Sequence, residues 1–417
     1  MKRAAVGRSL LVGLTVLVLV ASACVEERNA PQGGGGGETT EPIKLGLVAP
    51  FSGTAASIGR NMREGMSIAI DELNAAGGVL GRQIELLEMD NEFDPAKTSE
   101  VARELIQRQG VSALFGPPGT TSYLAIDDLV RQEEVITFPI VTGPQLEEEV
   151  NEFTFRLMIP DDIQVGLLAD YAADRFESVA ILAEDNETGR SIAELAEEEL
   201  GARDMTAAAV EFFSEDELDL SPIVLEASQA DADAIIIGSH IGPYAARIAT
   251  AADSLGYEPQ LLGLAGLTSY TFADLARESA AGTVFVAPPI PVLAGTDTPA
   301  ALTFHETYVD RYFPAGTTSE SGADKVTGAA YLTYDGVMMW AQAAEQAGSD
   351  DPGAVAEVFN AGFDFGPEES SAGIAWHYDA NDHEGFHEGD TWFYEWAETP
   401  AGIEFTFLGD AAEILAG

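Results

Sequence analysis

The chain has 417 residues, of which 46% are hydrophobic, 8% aromatic and 22% charged, with a single cysteine. That length and apolar share give two or three packed units and exclude a disordered, collagen-like or disulfide-stapled chain. With 70 Asp and Glu against 20 Lys and Arg, the formal net charge is −50; such a surface repels phosphate backbones and excludes nucleic acid as a partner.

The opening residues read as an address. Lys2, Arg3 and Arg8 flank the start of an apolar run over residues 10–20, and Ala21-Ser22-Ala23 lead to Cys24. A charged start, a short apolar stretch and small residues before a cut describe a secretory signal, too short to span a membrane. The arrangement resembles a bacterial lipoprotein signal, with Ala21 where Leu is usual. That implies residues 1–24 as signal, lipidation at Cys24 and an extracytoplasmic protein anchored to its membrane. Ordinary secretion with a cut near Ala23 is the alternative. Residues 25–42, which include Gly33 through Gly37, cannot bury a face and read as a flexible tether. Acidity of this degree without disulfides suggests a salty or alkaline exterior, where screening reduces self-repulsion.

Beyond the tether, Ile43, Leu45 and Leu47 alternate until Pro50 and Gly53 stop the strand. Met62, Met66, Ile70 and Leu73 share a helical face that Gly77-Gly78 terminates. A strand over 84–89 follows, and Asp94 with Pro95 caps a helix that Gly110 stops. A strand at 111–115, one helix running to Arg131 and a strand at 136–140 complete the first set. The second set has strands at 179–182, 207–212, 234–237, 261–264 and 283–286. Its helices are placed at 188–200, from Ser221-Pro222, and at 244–255. Helical patterns over 299–312 and 323–347 follow Pro288-Pro289, and the tail from Ile374 reads as β. Two successive alternating runs with joints near Pro160 and Pro288 predict an α/β fold of two doubly wound parallel-sheet lobes.

In open parallel sheets, ligands bind beyond the carboxyl ends of the strands. Gly116-Pro117-Pro118-Gly119-Thr120-Thr121-Ser122 follows the third strand, offering three hydroxyls and free backbone N–H groups to a carboxylate or another acceptor. Val141-Thr142-Gly143-Pro144 and Gly238-Ser239-His240 occupy two equivalent ends. Helix capping by Thr and Ser accounts for any one of these. Three in two lobes point to a cleft.

The segments Ile43-Lys44-Leu45-Gly46-Leu47-Val48-Ala49-Pro50-Phe51-Ser52-Gly53 and Ile70-Asp71-Glu72-Leu73-Asn74-Ala75-Ala76-Gly77-Gly78-Val79-Leu80-Gly81-Arg82 carry a resemblance. Together with Leu114-Phe115-Gly116-Pro117, Tyr331-Leu332-Thr333-Tyr334-Asp335 and Asp379-Ala380-Asn381, they resemble the branched-chain amino-acid binding proteins. These are type I periplasmic-type solute receptors of ABC importers, and the likeness runs from Ile43 to Trp396. It implies two lobes joined by a three-strand hinge, residues 43–160 with 290–365 and residues 161–289 with 366–417, closing over a small solute. It also implies a carboxylate-holding loop at Thr120, Thr121 and Ser122 and a second segment at Ile140, Val141 and Thr142. The family's acidic partner for a ligand ammonium falls on Ala265, a ligand-facing tyrosine on His240, and two aromatic positions on Ile58 and Thr188. A buried ammonium without a counter-charge costs on the order of several kcal/mol. The expectation is therefore a small carboxylate, amide or related organic solute, with the cation-gripping half lost and His240 as donor.

His383-Glu384-Gly385-Phe386-His387 matches the HExxH zinc-protease pattern, which needs both histidines on one helical face and a Glu to activate metal-bound water. Asn381-Asp382 before it, Gly385 inside it and Gly389 after it oppose a helix, so an exposed turn is expected. Incidental metal binding by His377, His383 and His387 is the lesser alternative. No Walker loop, nucleophile elbow or dinucleotide fingerprint occurs. The sequence thus reads as a solute-binding lipoprotein, without catalytic residues, cofactor or metal, that delivers its ligand to an ABC permease. A sensor of the same fold and a zinc hydrolase are the competing readings.

Overall fold

The computed structural model describes residues 41–144, 146, 150–290, 293, 298–313, 328–400 and 402–416. The expected signal, Cys24, nearly all of the tether and the start of the helix placed at 323–347 lie outside the described residues. Among the described residues, no helix is long and apolar enough to cross a membrane.

Two sheets organise the body. Strands β1 (Ile43–Ala49), β2 (Ile84–Asp90), β3 (Ala113–Pro118) and β4 (Thr137–Ile140) pair in parallel in the order β2-β1-β3-β4. Strands β5 (Val179–Glu184), β6 (Ala209–Phe213), β7 (Ala234–Gly238), β8 (Gln260–Gly263) and β9 (Val284–Ala287) form the parallel part of the other. The short strands β10 (Phe363–Phe365) and β11 (Trp376–Tyr378) pair with each other, antiparallel. Finally β12 (Trp392–Thr399) and β13 (Gly402–Asp410) complete a seven-stranded sheet in the order β13-β12-β9-β8-β7-β5-β6. The second sheet is therefore mixed rather than wholly parallel. Its last two strands form a tight hairpin, which can only run antiparallel, and β12 lies antiparallel to β9. Strands β5 and β7 are buried along their whole length, as continuous apolar runs require when helices cover both faces.

Local chemistry sets the helix ends. Asp94 accepts from the Lys97 N–H at 2.7 Å, with Pro95 in the first helical position. Gly110 ends the following π turn in the left-handed region. The single helix expected to reach Arg131 is two pieces, Thr120–Leu124 and Asp127–Glu133, because the chain breaks at Ala125-Ile126. Two helices carried too little apolar periodicity to be seen beforehand. Asp161–Arg175 buries Asp161 and Gln164 beside its apolar residues, which interrupts the stripe; Pro352–Asn360 has only nine residues.

The chain passes between the sheets three times: after β4, after β9, and before β12. Between the last two passages, the helix Gly328–Ala347 packs on Ala56–Ala75, where the Thr333 hydroxyl donates to the Met62 carbonyl at 3.0 Å. The lobe boundary expected after residue 365 falls inside the β10–β11 pair. Asp335 of Gly328–Ala347 binds Ser370, Ser371 and the Trp376 indole, which ties residues 366–378 to the first sheet's helices.

Candidate functional site

The carboxyl ends of β3, β4, β5, β7, β8 and β9 converge on one cavity of about 130 Å³. Thr120, Ile140 and Thr142 reach it from the first sheet; Glu184, His240 and Ala265 reach it from the second. Backbone geometry holds the walls close. Gly119 has φ +87°, and a Cβ there would meet the Phe93 ring at 2.9 Å. Gly266 has no room for a Cβ, which would lie 1.9 Å from the His240 carbonyl oxygen, so glycine lets the β8 loop press against the β7 loop.

Of the seven residues expected to hold a ligand, Thr120, Ile140, Thr142 and His240 border the cavity. Thr121, Ser122 and Val141 do not. Side chains alternate along extended chain, so Ile140 and Thr142 face the cavity while Val141 turns into the apolar cluster around Val48, Leu114 and Tyr123. Thr121 is exposed, and Ser122 is buried away from the cavity. Ile58, Thr188 and Ala265 do line it, at the places where the resemblance put family aromatics and an acid.

The hydroxyls are prepared as donors. Thr120 Oγ1 accepts from the Gly143 N–H at 2.9 Å, which leaves its own hydrogen for a guest. His240 Nε2 lies 2.8 Å from Asp161 Oδ1 and 3.2 Å from Thr142 Oγ1. A carboxylate only accepts, so Nε2 carries the proton and shares it with both oxygens, leaving the Thr142 hydroxyl hydrogen uncommitted. Asp161 is fully buried, and its Oδ2 has no hydrogen-bond partner among the described residues.

Sequence reasoning missed Glu184. It ends the otherwise apolar β5, is only 8% exposed and borders the cavity. The Ser239 hydroxyl donates to Oε1, and Asn186 Nδ2 donates to Oε2 at 2.8 Å. Burial pushes the carboxyl up from its ordinary range, against these two hydrogen bonds and the nearby His240. The strand-end rule applied to β3, β4 and β7 would have exposed Glu184 had it been applied to β5. The cavity wall therefore carries a buried carboxylate at the end of β5, while Ala265 lines the same cavity without one.

The HExxH segment is irregular chain, not a helix, and none of its residues lines this cavity. Asp379 and Asp382 bridge to each other just before it, and both His383 ring nitrogens are engaged, with the Thr154 carbonyl at 2.7 Å and Asn360 Oδ1 at 2.9 Å. Contrary to the expected exposed turn, His383 is buried and stacks on Phe155 at 4.5 Å. Glu384, the would-be base, pairs with buried Arg156 at 2.6 Å. No group of three His, Cys, Asp or Glu able to hold a metal occurs among the described residues.

A family model described as periplasmic binding protein matches residues 42–400. The Leu/Ile/Val-binding protein homolog 2 of Brucella abortus (strain 2308) is 27% identical, over 77% of this chain and 83% of its own length. Among solved structures, the branched-chain amino acid transporter substrate-binding protein of Streptococcus pneumoniae in complex with isoleucine has a TM-score of 0.76 at 22% identity, covering 88% of this chain and all of that one. A solute-binding protein of an R. palustris ABC transporter, in complex with 4-hydroxybenzoate, has a TM-score of 0.75 at 17% identity, covering 89% and 97%.

Proposed function

This chain belongs to the periplasmic binding protein family, and we propose that it captures a small polar organic solute between its two lobes and delivers it to an ABC permease. The observation carrying this reading is the cavity of about 130 Å³ at the strand ends, walled from one side by Thr120 and Thr142 and from the other by His240 and Glu184. The two walls meet where His240 Nε2 lies 3.2 Å from Thr142 Oγ1, and each carries polar groups that face the cavity. A solute touching both walls stabilises the closed arrangement through contacts that the open one lacks. The chemistry is recognition; the occupied Glu384 and turned-out His387 support binding without catalysis.

The fold alone does not fix the ligand class, since neighbours of nearly equal likeness hold isoleucine in one case and 4-hydroxybenzoate in the other. The domain division follows the same reading. Residues 43–140, 299–313 and 328–378 make one lobe, and residues 161–287, 392–400 and 402–416 make the other. The first 42 residues serve as signal and tether, and Cys24 carries the lipid that keeps the protein at the outer face of its membrane.

A thermal-shift screen of amino acids, amides and small carboxylates tests the binding reading. A ligand at about a hundred times its Kd stabilises the folded protein by about 2.7 kcal/mol. No shift from any solute in the panel contradicts capture of a small polar guest. The anchor has its own test: Cys24→Ser in the producing cell releases the protein from the membrane fraction, and an unchanged distribution contradicts lipidation there.

A further inference from the structure

We propose that His383 and Glu384 of the HExxH segment are positioning residues for lobe closure. They clasp the third crossover to the first, so that the second lobe turns about residues 158–160 and 387–391 as one pivot. This rests on the reading that the lobes close over a solute.

The first crossover runs back along the first sheet before it leaves. The Thr137 N–H donates to the Phe153 carbonyl at 2.7 Å, and the Phe155 and Leu157 N–H groups donate to the Thr137 and Pro139 carbonyls at 2.9 and 3.1 Å. Residues 153–157 are therefore bound to β4. Soon after them, Asp161 opens the helix Asp161–Arg175 and its carboxylate holds His240 at the cavity.

Backbone, ring and charge lace the third crossover to that same stretch. The Arg156 N–H donates to the His383 carbonyl at 2.9 Å, and the Tyr378 hydroxyl donates to the Arg156 carbonyl at 2.9 Å. The His383 ring lies on Phe155 and reaches Asn360, which ends the helix Pro352–Asn360 and donates to the Glu152 and Ala356 carbonyls. Glu384 Oε2 is 2.6 Å from Nε of Arg156, a side chain only 1% exposed. Separating a pair taken from water is costly, so this one holds while the lobes move. A Cβ at Gly385 would strike the Tyr378 hydroxyl, and Phe386 packs edge-on against Trp376 at 4.8 Å, so the segment stays on the first lobe to that point.

The second crossover is fastened from the other side. The Tyr394 hydroxyl of β12 donates to the Pro288 carbonyl at 3.0 Å and accepts the Ile290 N–H at 2.9 Å. Two crossovers are thus fixed to the first lobe and one to the second, with short joints between fixed points. Short joints restrict the arrangements open to the empty protein, so less conformational freedom is lost on closure and more of the contact energy appears as affinity.

Pulsed electron resonance on the full chain without added solute tests this. Cys24→Ser removes the single cysteine, and nitroxides are placed on Ala96→Cys and Asp216→Cys, both exposed and following the edge strands β2 and β6. The labelled parent is expected to give one narrow distance distribution, which Glu384→Gln and His383→Ala each broaden roughly twofold as the pivot loosens. Ile236→Val, in the buried core of the second lobe, costs stability away from the pivot and is expected to leave the width unchanged. Unchanged widths in both clasp variants overturn the proposal, as does equal broadening in Ile236→Val. Hydrogen exchange in wild type needs no variant: the Arg156 amide is expected to exchange as slowly as that of Phe155, and fast exchange at Arg156 alone overturns the clasp. No solute takes part, so these results judge the clasp by itself, while the thermal-shift screen judges solute capture.

Discussion

Asp335 and Glu184 are both carboxylates stripped of most of their water, and the molecule furnishes them differently. Asp335 lies in the core, where Ser370, the N–H groups of Ser371 and Ala372, and the Trp376 indole all donate to it. Glu184 has two donors and a cavity. Burial raises the carboxyl of each above its ordinary range. The protein surrounds the first with its own hydrogen bonds and leaves part of the second open. One carboxylate therefore fastens the chain to itself, and the other is available to something that arrives.

The comparison breaks if each residue does the other's work. Asp335→Ala strands several buried donors and is expected to destabilise the fold by about 3 kcal/mol in urea unfolding, while a variant that remains folded keeps its ligand affinity. Thr142→Val removes one hydroxyl from the first wall. It is expected to weaken binding by about 1 kcal/mol, roughly fivefold by titration calorimetry, with the melting temperature almost unchanged.

The pH dependence of stability sharpens the contrast further. Because folding raises the Glu184 carboxyl, its contribution is greatest below the ordinary carboxylate range and is lost as pH rises through the folded value. Unliganded Glu184→Gln is therefore expected to lose less stability than wild type between pH 4 and pH 7, read from urea midpoints. His383 has the opposite sign and the smallest expected effect. Burial lowers its imidazole, so its contribution is present above about pH 6.5 and is lost as pH falls toward the folded value. His383→Gln is expected to flatten the decline in urea midpoint from pH 7 to pH 5; an identical decline contradicts an imidazole lowered by burial.

Much of this architecture was legible because its signals are short-range. Alternation marked β1, Asp94-Pro95 marked a helix start, and Gly119-Thr120 and Thr142 marked strand ends that do border the cavity. What was not legible depends on distance along the chain. His240 meets Asp161 across 79 residues, and Asp335 meets Trp376 across 41. No local pattern announces either pair. Glu184 escaped notice for a related reason: Ala265 was read along the sequence alone, whereas in space β5 brings a carboxylate to the same cavity. Val141 was misassigned for the simplest reason, since neighbours in an extended segment face opposite ways.

The most direct test is a crystal structure of the protein with the tightest-binding solute from the thermal-shift panel. The account predicts the solute between the lobes, with its electron-rich end on the Thr120 and Thr142 hydroxyls. A solute bound elsewhere, with those hydroxyls untouched, would contradict it.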